Sequence, residues 1–126
     1  MFAKHLAIAS LLFALGAAGC HRGAFANTAP GTQGSVNLVV QNQNFYDMDV
    51  YVVSEGLATR IGDVTGNSTA RFTLDPSFFP SSELRIVGTP IGGNGRASSG
   101  PLNVAPGQTV TFTIGSTLRQ SSATIR

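Results

Sequence analysis

From residue 35 onward, apolar residues recur at every second position in short runs, and glycine, proline or asparagine interrupts them about every ten residues. Val36, Leu38 and Val40 share one face of the first run; Met48, Val50 and Val52 share one face of the second. A strand places successive side chains on opposite faces, so this spacing builds a half-buried strand and cannot build the apolar stripe of a helix. No segment after residue 34 carries apolar residues at helical spacing.

The same pattern continues to Ile114. Ala70, Phe72 and Leu74 point one way, as do Leu84 and Ile86, then Val110, Phe112 and Ile114. The alternation breaks at Gly62, where Ile61 and Val64 cannot both face inward from a regular strand, and a glycine at such a break predicts a bulge. Gly100-Pro101 interrupts the run from Arg96 to Val104, because proline cannot donate to a ladder, so this run reads as an edge. Ala105-Pro106-Gly107-Gln108 has proline and glycine at the central positions of a type II turn. The first two runs, joined through asparagine-containing residues 43–46, are expected to pair as a hairpin.

About seven short strands follow, which predicts an all-β fold: a single antiparallel β-sandwich of immunoglobulin-like or transthyretin-like topology over residues 35–114, with a small barrel as the alternative. Residues 115–126 are rich in serine and threonine and are expected to form a polar tail that frays.

The first 34 residues obey a different logic. Lys4 supplies a positive start, Leu6 to Ala18 form an apolar run of about 13 residues, and small residues lead to Cys20. This is the layout of a secretory signal, over residues 1–19, and the run is short of the roughly 20 residues that span a bilayer. Residues 20–34 have no apolar period and are rich in glycine, alanine and threonine, the composition of a flexible tether. The tether would give the domain a root-mean-square reach on the order of 20 Å.

Ala17-Ala18-Gly19-Cys20 resembles the lipobox of bacterial lipoproteins, with Ala17 where that family usually has leucine. The resemblance implies cleavage before Cys20 and a diacylglyceryl group on its sulfur, with palmitate-type acylation of the new amino end. It also implies a cell-envelope location, at the outer membrane of a two-membrane bacterium because His21 and not aspartate follows the cysteine. Two or three acyl chains give stable attachment where one binds reversibly. The alternative is an ordinary secretory signal cut near Ala24 or Ala26. Asn42-Gln43-Asn44-Phe45, Asp49-Val50-Tyr51, Ile61-Gly62-Asp63-Val64 and Phe72-Thr73-Leu74 are similar to a pattern in small bacterial β-sandwich lipoproteins, which implies the fold and no activity.

Residue inventory excludes several chemistries. Cys20 is the only cysteine, so no intrachain disulfide forms, and of the two histidines, His5 lies in the signal and His21 on the tether. A Ser-His-Asp arrangement or a histidine metal cluster within the domain is therefore not available. The formal net charge is +2 and the arginines are scattered, so the pI of about 9.2 marks no nucleic-acid surface. Gly92-Gly93-Asn94-Gly95 lacks the lysine and the following helix of a phosphate loop. Asp47, Asp49, Asp63 and Asp75 could approach one another, but nothing resembles a calcium loop, and no metal or cofactor is expected.

What remains are two aromatic pairs in connections, Phe45 with Tyr46 and Phe78 with Phe79, which are candidate partner-binding residues or plugs for the ends of the sandwich. The reading is a non-enzymatic, lipid-anchored envelope protein whose sandwich serves as a structural or interaction module. Its membrane contact is the lipid on Cys20, and its partner is an envelope protein or a glycan. The alternative is a secreted or anchored carbohydrate- or ligand-binding domain that uses the loop aromatics.

Overall fold

The computed structural model describes residues 34–126. The signal of residues 1–19, Cys20 and the 20–34 tether up to its last residue lie outside the described residues. The strands are β1 (Val36–Asn42), β2 (Met48–Ser54), β3 (Leu57–Val64), β4 (Thr69–Leu74), β5 (Glu83–Pro90), β6 (Ala97–Ser98), β7 (Leu102–Asn103), β8 (Thr109–Ile114) and β9 (Ser122–Ile125).

They form two sheets, one ordered β4-β1-β8-β9 and the other β3-β2-β5-β6, with β7 also on β5. The inward faces of both sheets make one core, with Leu38, Val40, Val110 and Phe112 on one side and Val50, Val52, Leu84 and Ile86 on the other. Burying each such side chain contributes about 1.5–3 kcal/mol. The fold is a β-sandwich, as the alternation predicts, and every strand pair is antiparallel except β1 with β8, which is parallel.

β1 and β2 do not form the expected hairpin. β1 pairs with β4 and β8, whereas β2 pairs with β3 and β5. Alternation alone is blind to this choice, because two strands burying every second residue can lie side by side or face each other across a core. Here the ladder of β1 continues past its end, with Asn42 N–H donating to Ser68 O at 2.8 Å and Gln43 N–H to Ile114 O at 2.8 Å. The chain then arches into the other sheet.

The bulge falls where Gly62 placed it. The β2–β3 register runs Val50↔Gly62 and then Tyr51↔Arg60, leaving Ile61 as the extra residue. The glycine leaves room for a neighbour: a Cβ on Gly62 would sit 2.6 Å from Cε1 of Phe72, whose ring reaches over from β4 and would have to shift. Glu55 and Gly56 have φ of 50° and 81°, the paired left-handed residues of a tight hairpin between β2 and β3. Gly107 has φ of 84° in the Pro106-Gly107 turn, and Gln108 N–H donates to Ala105 O at 3.2 Å, closing it.

The C-terminal residues correct the expectation of a fraying tail. A short 3-10 turn, Leu118–Gln120, leads into β9, which pairs antiparallel with β8 from Val110↔Ile125 to Thr113↔Ser122. Thr109 and Arg126 exchange backbone hydrogen bonds of 2.8 and 2.9 Å. Leu118, Ala123 and Ile125 pack on the core. Only two of the four β9 residues are apolar and both stay half-buried, so the strand leaves a faint trace in the sequence.

Candidate functional site

The chain reaches the sandwich at one end and displays its exposed aromatics at the other. Gly107 N–H donates to Ser35 O at 2.7 Å, so the start of β1 lies beside the β7–β8 turn. Six residue steps of about 3.3 Å along β1 place its far end roughly 20 Å away. There the β1–β2, β3–β4 and β5–β6 connections meet, and we call this end the tip.

Two buried asparagines shape the tip. Asn42 is 2 % and Asn44 5 % exposed. Asn42 Nδ2 faces the carbonyls of Tyr46, Thr65 and Val64 at 2.8, 3.1 and 3.4 Å, and its Oδ1 accepts from Asn44 N–H at 3.0 Å. Asn44 repeats the motif: its Oδ1 accepts from Tyr46 N–H at 3.0 Å, and its Nδ2 donates to Ser116 O at 2.8 Å. These are two consecutive Asx turns, and they tie the β1–β2 arch to the β3–β4 turn and to the start of the C-terminal segment. Among the described residues no buried side-chain polar atom lacks a partner. Neither asparagine has a positive φ, so both serve through their side chains. Asp47 adds a third tie, since its Oδ1 accepts from Gly66 N–H at 2.8 Å. Gly66 admits no side chain because one would run into the Phe45 carbonyl.

On this braced arch sit Phe45, 72 % exposed, and Tyr46, 39 % exposed. Their ring centroids are 4.2 Å apart with planes tilted by 33°. Ile91 is half-exposed, and its N–H donates to Asp47 O at 2.8 Å, which adds an aliphatic side chain beside the pair. A Cβ on Gly93 would lie 2.9 Å from Cβ of Pro90, and the Tyr46 ring comes within 3.5 Å of the same point, so the 91–95 connection passes close to the pair.

The second aromatic pair behaves differently. Pro76–Phe78 forms a 3-10 turn, Phe79 is 5 % exposed within the core, and Phe78 packs against it half-buried. Phe78 and Phe79 plug the end where the chain arrives. The structure therefore brings Phe45 and Tyr46 together on the surface and places Phe78 and Phe79 at the opposite end.

One charged cluster is paired within the protein. Arg60 Nε donates to Asp49 Oδ1 at 2.8 Å, and its guanidinium lies 3.5 Å from Asp63. The hydrogen bond that Arg60 donates to Asp49, then the charge of Asp49, raises the Arg60 pKa above its already high ordinary value. Arg60 therefore stays charged at working pH, and the surface pair supplies no titrating switch. Among the described residues no three His, Cys, Asp or Glu side chains gather to hold a metal ion. A cleft of about 560 Å³ lies at the end where the chain arrives, with Glu55, Glu83 and Arg85 in its wall.

No protein-family model matches the chain, and no curated protein does. Among solved structures it is similar to a protein from Eubacterium rectale solved by NMR, at 12 % identity and a TM-score of 0.45, over 78 % of this chain and 90 % of that one. It is also similar to the CBM25-1 of a β/α-amylase from Paenibacillus polymyxa, at 17 % identity and a TM-score of 0.42, over 75 % of this chain and 92 % of that one. A third likeness is to a Gram-negative toxin, at 17 % identity and a TM-score of 0.39, over 75 % of this chain and 23 % of that one.

Proposed function

We propose that this is a lipid-anchored protein of the bacterial cell envelope whose β-sandwich is a non-enzymatic binding module. One observation carries the reading: an exposed aromatic pair in mutual contact, Phe45 and Tyr46, stands on a hydrogen-bonded arch at the end opposite the chain's arrival. An exposed aromatic costs solvation and returns nothing to the fold, whereas a braced one meets a ligand without a large ordering cost. Anchoring through Cys20 at the N-terminal side would turn this tip away from the membrane. The anchor itself is inferred from the lipobox-like Ala17-Ala18-Gly19-Cys20.

Two variants of the full chain, expressed in a two-membrane bacterium, test the two halves. Cys20→Ala is expected to abolish acylation, seen in intact mass, and to release the protein from the membrane fraction. An unmodified soluble wild-type chain that starts beyond Cys20 would refute the anchor and leave a secreted binding domain. A benzophenone amino acid in place of Phe45 is expected to give ultraviolet adducts in intact cells, and the same group in place of Leu57, which is 70 % exposed at the opposite end, is not. Equal yields at the two positions would refute the tip as the contact surface.

A further inference from the structure

At the same tip, where β1 runs beside β4, lies a cleft of about 280 Å³ lined by Gln41, Asn42, Gln43, Asn67, Ser68 and Thr69. Each of these side chains is an amide or a hydroxyl, and none is charged. The cleft adjoins the pair through the backbone: Gln43 is two residues before Phe45, and Asn67 N–H donates to Asn44 O at 2.9 Å. Asn42 is committed to holding the arch, Ser68 Oγ donates to Thr65 O at 2.7 Å, and Gln41 Oε1 accepts from Thr113 at 3.3 Å. The exposed amides of Gln43 and Asn67 and the hydroxyl of Thr69 are left to meet a ligand.

Taking the tip as the binding surface, we propose that this cleft binds a neutral oligosaccharide, with Phe45 as the stacking platform and Gln43, Asn67 and Thr69 as hydrogen-bonding groups. A pyranose ring presents hydroxyls that both donate and accept, together with a face of C–H bonds. Side-chain amides offer a donor and an acceptor side by side, and an exposed aromatic face, negative at its centre, attracts C–H bonds. An anionic ligand would call for arginine or lysine in the wall, and this wall has none.

The test uses the full chain in detergent and titrates it with maltohexaose, cellohexaose, chitohexaose and mannohexaose, with a polygalacturonate hexamer and a heparin hexasaccharide as acidic controls. At least one neutral sugar is expected to bind, and Phe45→Ala is expected to weaken it about tenfold or more. Gln43→Ala should weaken it as well, while Leu57→Ala leaves it unchanged. These side chains are exposed, so unchanged melting temperatures will show that the losses are local. Binding of acidic sugars alone, or neutral binding indifferent to both Phe45→Ala and Gln43→Ala, overturns the proposal. Absence of all sugar binding overturns it too. If photo-adducts to polypeptide persist at position 45, the tip survives as a protein-binding surface; if they vanish, both readings fall.

Discussion

Alanine at Asn42 is expected to lower the melting temperature by roughly 15 °C, equivalent to about 3 kcal/mol in a domain of this size. The side chain is 2 % exposed and its Nδ2 is shared among the carbonyls of Tyr46, Thr65 and Val64. Truncation leaves those carbonyls, and the Asn44 N–H, without their partner in a place water enters poorly. A buried polar group stripped of its partner costs about 1–3 kcal/mol. Thermal melts by circular dichroism measure the effect, and a shift of only a few degrees would mean that the arch is held by something other than Asn42.

Aspartate at the same position separates hydrogen bonding from shape. It keeps the acceptor for Asn44 but turns the donor into a carboxylate oxygen facing carbonyls, so the folded state favours the protonated acid. The folded pKa then lies above the unfolded value of about 3.9, and the folded state binds more protons. Stability of Asn42→Asp must therefore fall as the pH rises through that window, while wild type changes little. Sugar binding at the tip should weaken with either variant, because Tyr46 and Phe45 lose the bracing that presents them.

What the sequence made legible follows from what alternation encodes. The inward faces of β1, β2, β4, β5 and β8 are readable because a strand's burial is written in its own residues, whereas Val39 and Val87 lie on the outward face and are buried all the same. Gly62 and Pro106-Gly107 were readable for a related reason, since a broken alternation and a required φ are local. Strand partners are not local. β1 contributes the same inward face whether β2 lies beside it or across the core, and what excludes the hairpin is non-local: β4 and β8 occupy both edges of β1, and its ladder runs on through the Asn42 and Gln43 backbone bonds to Ser68 and Ile114.

The candidate site divides in the same way. Phe45-Tyr46 and Phe78-Phe79 look alike in sequence, each an aromatic pair in a polar connection. Their fates differ because the Pro76 turn folds Phe79 into the core, while two Asx turns hold Phe45 outward. Asn42-Gln43-Asn44 did carry a usable signal. Two asparagines spaced two residues apart, the first closing a strand, suit successive side-chain caps, not merely a turn that tolerates positive φ.

The largest effect should come from the segment that looks least structured. Removing residues 118–126 is expected to cost about 4–6 kcal/mol, which for a domain of this size approaches the whole of its stability. Leu118 and Ile125 leave the core, and the backbone pairing of β9 leaves β8 as an open edge. Phe112, fully buried in that strand, would then be covered from one side only. The truncated chain should melt more than about 20 °C below the full one or fail to melt cooperatively. Its newly exposed β8 edge should also promote association between chains, visible in size-exclusion chromatography. Ile125→Ser, which keeps the segment and removes its apolar anchor, should fall between the two. Truncation that leaves the melting temperature within about 2 °C of wild type would put β9 outside the cooperative unit and return residues 115–126 to the frayed tail that their serine and threonine content suggests.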